Sequence, residues 1–191
     1  MKTGRVVQNL SLKDGRKAVL RTPKWEDLDD LLDLINSLVE EKADIIRGEK
    51  VTRKEEIDFL ASVLKRVETK EEFFLIAEVG AKVVTSSEIG QGTGSYDSHV
   101  DMISIVVKDG FRDVGLGTMM MKTLVERGRS MGLKVLTLCA FSTNKRAIHV
   151  YEKVGFARTG YIPKVLQEWQ ICGRSSNDDA PGVDGLCQAS R

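Results

Sequence analysis

The residues best suited to hold a ligand lie between Arg112 and Gly117, in the run Arg-Asp-Val-Gly-Leu-Gly. This run follows a stretch rich in β-branched residues and precedes a helical pattern, so it spans a strand-to-helix turn. Gly115 and Gly117 have no side chain to obstruct a ligand, and the first turn of the helix leaves backbone N–H groups without partners. Because the helix dipole adds positive potential there, the pattern predicts a pyrophosphate site.

Two other phosphate-binding loops differ from this stretch. A Walker loop ends in Gly-Lys-Ser/Thr, which this run lacks. A dinucleotide-binding fold needs a third glycine and an acidic residue at the end of the next strand. Here Met120 stands three residues after Gly117, and the next strand ends near Phe141 without a carboxylate. On this run alone, the remaining alternative is a strand-to-helix turn that binds nothing.

A second pattern lies downstream, where Ala147, Tyr151 and Val154 share one helix face and Gly155 closes the helix. Together the two patterns resemble the GNAT family of N-acetyltransferases. That family has an acetyl-CoA loop R/Q-x-x-G-x-G/A and, after one more strand, N-x-x-A-x-x-x-Y-x-x-x-G-F. The matching residues are Arg112, Gly115 and Gly117 in the first motif, and Asn144, Ala147, Tyr151, Gly155 and Phe156 in the second.

The resemblance implies an α/β (α+β) acyl-CoA N-acyltransferase fold. Its mixed, mostly antiparallel sheet would be splayed between the fourth and fifth strands, here 99–108 and 134–141, with flanking helices. Acetyl-CoA would lie in that split, without a metal. Its pantetheine arm would pair with the strand backbone, and its pyrophosphate would meet the loop. The implied cofactor-binding residues are Ile105, Val107, Arg112, Asp113, Val114, Gly115, Leu116, Gly117, Thr118, Asn144, Arg146, Ala147 and Tyr151. For Arg146, an ordinary surface charge is an equal alternative.

The implied reaction is direct attack of an amine on the thioester, which needs a base for the amine proton and an acid for the leaving thiolate. The resemblance makes Tyr151 the general acid, the alternative being a core aromatic residue. The family often places a glutamate six residues before the last pantetheine-pairing residue, and Asp101 occupies that position. His99 shares the same strand face and is a second candidate base. A water or backbone relay is the third.

Composition narrows the class of protein. The 191 residues are 30% charged with a net charge of +1, which argues against nucleic acid or membrane as the main partner. No apolar run approaches the roughly 20 residues of a membrane span, and the N-terminal residues lack the apolar core of a signal peptide. The three cysteines have no metal-binding spacing, and we interpret them as reduced thiols of a cytoplasmic protein, with Cys139 in the core.

The remaining elements follow from periodicity. Helices are predicted near 22–41 and 52–67, where the resemblance places the acceptor pocket, and a hairpin over 72–89.

We expect one domain over 1–172. The tail 173–191 is rich in Gly, Ser, Asn and Asp, so we expect it to be irregular, with no strand after Cys172. The fifth strand would then have an open edge, which would allow a homodimer.

The sequence supports two functional hypotheses. The first is an acetyl-CoA-dependent N-acetyltransferase that acts on a primary amine of a small molecule, amino acid or protein. The second is a catalytically weak CoA-binding module of the same fold, which serves as a sensor or interaction partner. The Tyr151 match favours the enzyme, whereas the lack of a glutamate at Asp101 favours the binding module.

Overall fold

The chain folds around one mixed sheet with helices on both faces. The computed structural model describes residues 2–90, 98–162 and 183–189. In chain order the elements within those ranges are β1 (Val6–Ser11), β2 (Lys17–Arg21), α1 (Leu28–Glu40), α2 (Arg53–Thr69), β3 (Phe73–Val79), β4 (Lys82–Ile89), β5 (Val100–Val107), α3 (Leu116–Ser130), β6 (Val135–Phe141), α4 (Lys145–Lys153), β7 (Ala157–Ile162) and β8 (Val183–Ala189). None of these helices is long and apolar enough to cross a membrane.

The predicted local signals account for most elements. Thr52 and Glu55, at the start of the helix predicted near 52–67, form a capping box, because the Thr52 side chain accepts from the Glu55 N–H and the Glu55 side chain accepts from the Thr52 N–H. The β3–β4 hairpin turns at Gly80 and Ala81, which both have positive φ values of 57° and 61°. Such values in both turn residues match the right-handed twist of the paired strands. The hairpin prediction is therefore confirmed.

Two apolar cores cover the two faces of the sheet. One lies beneath α1 and α2 and joins their leucines and valines to Phe74, Ile76 and Val83. The other lies beneath α3 and α4 and joins Met120, Leu124 and Ile148 to side chains from the opposite face of the sheet. Alternate residues of each central strand thus enter different cores, as the two-residue repeat of a strand requires.

The sheet is splayed where the sequence predicts. The strand order is β1-β2-β3-β4-β5-β6-β8-β7. Strands β5 and β6 are parallel and pair only from Val100–Val135 to Met102–Thr137. Beyond that point β5 pairs with β4 alone and β6 with β8 alone, so a split opens between them. Within the split Cys139 on β6 is exposed, which corrects its assignment to the core.

Two strands were not predicted. Strand β1 is an edge strand whose residues are exposed except for Leu10, so it lacks the alternation that marks a half-buried strand. Strand β8 lies between β6 and β7 and pairs with β6 from Val135–Ala189 to Phe141–Val183. The prediction of no strand after Cys172 is therefore wrong, and so is the open edge of the fifth strand. The argument for a homodimer from that edge no longer holds.

The prediction of no strand after Cys172 failed for a physical reason. Composition measures how much apolar surface a segment can bury, whereas a strand inserted between two others also satisfies its backbone N–H and C=O groups on both sides. Of its side chains, Leu186 is buried in the α3–α4 core with 1% exposure. The sequence also predicts a strand over 161–166 and a short strand stub over 168–172; Tyr161 and Ile162 end β7, and the rest of both segments lies outside the described residues.

Candidate active site

The loop between β5 and α3 ends in an uncapped helix N-terminus. Gly110, Asp113 and Gly115 have φ values of 76°, 64° and 88°. Gly115 is the N-cap residue of α3, its φ favours glycine, and this residue supplies no side-chain cap to the helix. The first turn also carries no acidic residue. Its amides and positive dipole end therefore remain available for an anion, as predicted for the pyrophosphate.

Gly117 is the second residue of α3 and lies in its first turn. A Cβ atom built there would be 3.9 Å from Val107 Cγ2, which is an ordinary contact. Since φ at Gly117 is also outside the left-handed region, neither packing nor backbone conformation requires glycine at this position. Close approach of a ligand to the helix end gives a reason for glycine here.

The Arg112 side chain lies beside the loop but has protein partners. Its Nε donates to the Val107 carbonyl oxygen at 2.9 Å. One Nη forms an ion pair with Glu41 in the C-terminal turn region of α1, and the other lies 3.7 Å from an Asp109 carboxylate oxygen. A bound pyrophosphate would therefore compete with two carboxylates for this guanidinium group.

Sequence reasoning missed two further cations near the loop. The turn between β1 and β2 docks on it, because the Lys13 N–H donates to the Val114 carbonyl oxygen at 3.1 Å. The Lys13 Cε lies 3.6 Å from the Cβ position of Gly115. Arg16 donates to the Gly110 carbonyl oxygen at 2.7 Å. No local pattern could connect this turn with a loop about one hundred residues later in the chain.

The backbone of β5 presents alternate residues to the split. Gly90 N–H donates to the Met102 carbonyl oxygen at 3.2 Å, and Lys108 N–H donates to the Val84 carbonyl oxygen at 2.9 Å, both towards β4. Alternation therefore points the backbone groups of Ile105 and Val107 away from β4 and into the split. This is the geometry that an added strand, such as a pantetheine arm, needs.

The start of α4 meets the loop across the mouth of the split. Asn144 caps the helix, since its Oδ1 accepts from the Ala147 N–H at 3.0 Å. Arg146 lies 3.4 Å from Asp113 across this opening. The structure thus brings the second motif to the first, and Arg146 lies near the predicted pyrophosphate position.

Tyr151 lies inside the α3–α4 core with 9% exposure. Its ring packs edge-to-face against Phe156, with centroids 6.4 Å apart. Burial raises the pKa of Tyr151 to about 12, so the hydroxyl stays protonated at neutral pH. Among the described residues the hydroxyl has no hydrogen-bond partner. A protonated phenol of this kind can donate to a leaving group.

Asp101 is 6% exposed and sits at the end of the sheet beside Gly90. Its Oδ1 accepts from the Met102 N–H at 2.7 Å, and its Oδ2 is buried without a partner. Burial, with smaller contributions from Glu72 and Glu88, raises the pKa of Asp101 to about 6, although the Met102 N–H opposes this shift. A carboxylate with this pKa can accept a proton near neutral pH.

The other candidate base is placed differently. His99 is exposed, and its carbonyl oxygen accepts from the Lys134 and Val135 N–H groups at 2.8 and 3.1 Å. It therefore lies at the end where β5 and β6 remain paired, one step beyond the last pair and away from the split. Asp101 pairs with Leu136 in the same stretch, so it is the burial and the raised pKa of Asp101 that favour it over the exposed His99.

The model of the acetyltransferase (GNAT) family matches residues 31–156, which is more than half of the chain. The chain belongs to the GNAT family. An L-methionine sulfoximine/L-methionine sulfone acetyltransferase from Pseudomonas aeruginosa is 35% identical over 66 residues, which are 35% of this GNAT chain and 38% of that relative. The comparison thus spans well under two thirds of the relative's length.

Solved structures agree with this assignment at the level of the fold. An N-acetyltransferase from Staphylococcus aureus Mu50 has a TM-score of 0.77 and 17% identity, covering 90% of this chain and 98% of that one. A GNAT phosphinothricin acetyltransferase from Sinorhizobium meliloti, solved with acetyl-CoA, has a TM-score of 0.74 and 13% identity, covering 90% and 88%. The fold expectation is confirmed.

The GNAT chain has a cavity of about 210 Å³ on the α1–α2 face of the sheet, next to β5. Its walls are mainly apolar and come from α1, α2 and the strands β3 to β5. The lining charged residues are Arg47, Glu55, Glu56 and Glu88. The predicted helical region thus does enclose a cavity, on the opposite face of the sheet from α3.

Proposed function

We propose that this chain is an N-acetyltransferase that moves an acetyl group from acetyl-CoA to a primary amine of a small molecule, an amino acid or a protein. The proposal rests on one observation: the split beside β5 leads to the N-terminus of α3, which has no side-chain cap. The strand backbone at Ile105 and the amides after Gly115 suit the two parts of one extended cofactor, its pantetheine arm and its pyrophosphate.

In the proposed reaction the amine nitrogen forms a bond to the thioester carbonyl carbon, and the carbon–sulfur bond breaks. The ammonium proton passes to Asp101, whose raised pKa matches this task. The departing thiolate takes a proton from the Tyr151 hydroxyl, which burial keeps protonated. Proton transfers of this type typically contribute about 100-fold or more to the rate.

The test combines binding and turnover. Calorimetry with acetyl-CoA measures the cofactor site, and thiol release with a panel of amines measures transfer. L-methionine sulfoximine belongs in that panel, since the Pseudomonas relative is named for acting on it. We expect acetyl-CoA to bind and at least one amine to release thiol. Binding without release for every amine would instead assign the chain as a CoA-binding module.

A further inference from the structure

Glu56 on α2 is a buried carboxylate that faces the cavity without a partner. It is 5% exposed and lines the cavity wall opposite the sheet. Among the described residues its carboxylate has no hydrogen bond and no ion pair. Burial raises its pKa and the charge of Arg47 lowers it, although the two side chains form no salt bridge. A buried carboxylate in this situation is unfavourable unless a cation pairs with it.

The neighbouring acids differ from Glu56 in this respect. Glu55 also lines the cavity, but its carboxylate accepts from the N–H and hydroxyl of Thr52 at 2.8 and 2.7 Å. Glu72 is as deeply buried, but it forms an ion pair with Arg66. Glu56 is therefore the carboxylate of this cavity that no described residue pairs with directly, and only the more distant charge of Arg47 acts on it.

A second carboxylate faces the same cavity from the sheet. Glu88 on β4 lies opposite Ser104 in the register, and Ser104 Oγ donates to Glu88 Oε1 at 2.9 Å. Ser104 follows Met102, the last β5 residue paired with β6, by only two positions. Glu88 therefore lies where the split begins, on the face of the sheet that the acceptor cavity occupies.

The space between the two acids is apolar. It is bounded by side chains of α1, α2 and the sheet, which are Leu31, Leu34, Ile35, Phe59, Phe74 and Val106. A ligand that suits such a cavity carries a short aliphatic body with a positive charge towards each acid. Arg47, which is exposed and lines the same cavity, is a cation that would suit a carboxylate instead.

From these contacts we infer that the acceptor is a small aliphatic diamine, with one ammonium group held by Glu56 and the reacting amine facing Glu88. The inference rests on the proposed function, because it assigns the substrate class of that same reaction. Glu56 is then a specificity-determining residue, and Glu88 positions the amine that attacks the thioester.

Three probes that share a four-carbon chain and one terminal amine test this assignment. They are 1,4-diaminobutane, 1-aminobutane and 4-aminobutanoate, which differ only in whether the far end carries an ammonium, a methyl or a carboxylate group. Binding to the full chain is measured by calorimetry in the presence of CoA, so that no transfer is needed. We expect the diamine to bind at least about tenfold more tightly than 1-aminobutane, a difference of about 1.4 kcal/mol.

Substitutions test whether Glu56 causes the tighter binding of the diamine. Glu56→Gln should abolish the preference for the diamine and leave the binding of 1-aminobutane unchanged, because only the far charge loses its partner. Glu55→Gln is the matched control. It removes a charge from the same cavity, but glutamine also completes a capping box, so the preference should persist. A melting measurement checks that each variant folds, and Glu56→Ala gives a second test of the same position.

Three results would overturn the inference: equal binding of diamine and monoamine to the wild-type chain, a preference that survives both Glu56 substitutions, or tighter binding of 4-aminobutanoate that is lost in Arg47→Ala. The last of these would indicate an amino-acid acceptor. Failure of the proposed function is seen separately. Diamine binding that depends on Glu56, without acetyl transfer, would support the cavity assignment and reject the enzyme.

Discussion

Asp101 should make the protein less stable at neutral pH than at acidic pH, and Asp101→Asn should remove that cost. The pKa of this carboxyl is raised from 3.8 to about 6, mainly by burial. The folded state therefore binds more protons than the unfolded state between these values, so stability falls as the pH rises through that range. Above it the ionised group costs roughly 3 kcal/mol, at 1.36 kcal/mol for each pKa unit.

The measurement is urea denaturation of both proteins at two pH values. At pH 8, well above both pKa values, Asp101→Asn should be more stable than the wild type by up to roughly 3 kcal/mol. Below pH 3.8 the carboxyl is protonated in both states, and the difference should largely vanish. Asp58→Asn, at an exposed position on α2, is the control and should change stability little at either pH.

The same variant tests the catalytic role. If Asp101 accepts the amine proton, Asp101→Asn should lose most of its turnover, and the acidic limb of the rate–pH profile near pH 6 should disappear. A gain in stability with a loss of activity would be the expected signature of a residue kept for function. Equal stability of the two proteins at pH 8, or an unchanged rate–pH profile, would refute the reasoning.

Three further predictions concern the cofactor site. Gly117→Glu should fold, since a Cβ atom there makes only an ordinary contact with Val107, yet calorimetry should show acetyl-CoA binding at least about tenfold weaker. Tyr151→Phe should lower turnover about 100-fold with little change in acetyl-CoA affinity, and full turnover would reduce Tyr151 to a packing role. Glu41→Gln should free Arg112 and tighten acetyl-CoA binding a few-fold, up to about fivefold, whereas Glu40→Gln, a control at the pair with Lys50, should not.

The parts of the site that the sequence predicted are those with local causes. Strand, glycine turn and helix N-terminus follow one another within about twenty residues, so the loop at Gly115 could be read from the chain itself. The position of Asn144 as an N-cap is local in the same way. The resemblance, and not the alternation of β5, singled out Ile105 and Val107, whose backbone groups point away from β4.

What the sequence did not predict depends on contacts between distant segments. Lys13 reaches the loop only because the β1–β2 turn docks there, and Glu56 becomes isolated only when α2 packs over the sheet. The pKa of Asp101 likewise depends on burial and on two acids from distant parts of the sequence, Glu72 just before β3 and Glu88 in β4. Strand β8 was missed because its pairing with β6 and β7 is a backbone property that composition does not encode.

The segment after α1 links the cofactor side of the site to the acceptor side. Glu41 forms an ion pair with Arg112 of the loop, and Asp44 Oδ1 accepts from the Thr143 hydroxyl, which follows β6, at 3.2 Å. The same segment continues to Arg47 and Val51 in the wall of the cavity. A pyrophosphate that drew Arg112 away from Glu41 would remove one of the contacts that hold this segment. One short stretch, from Glu41 to Val51, thus contacts both the loop and the cavity wall.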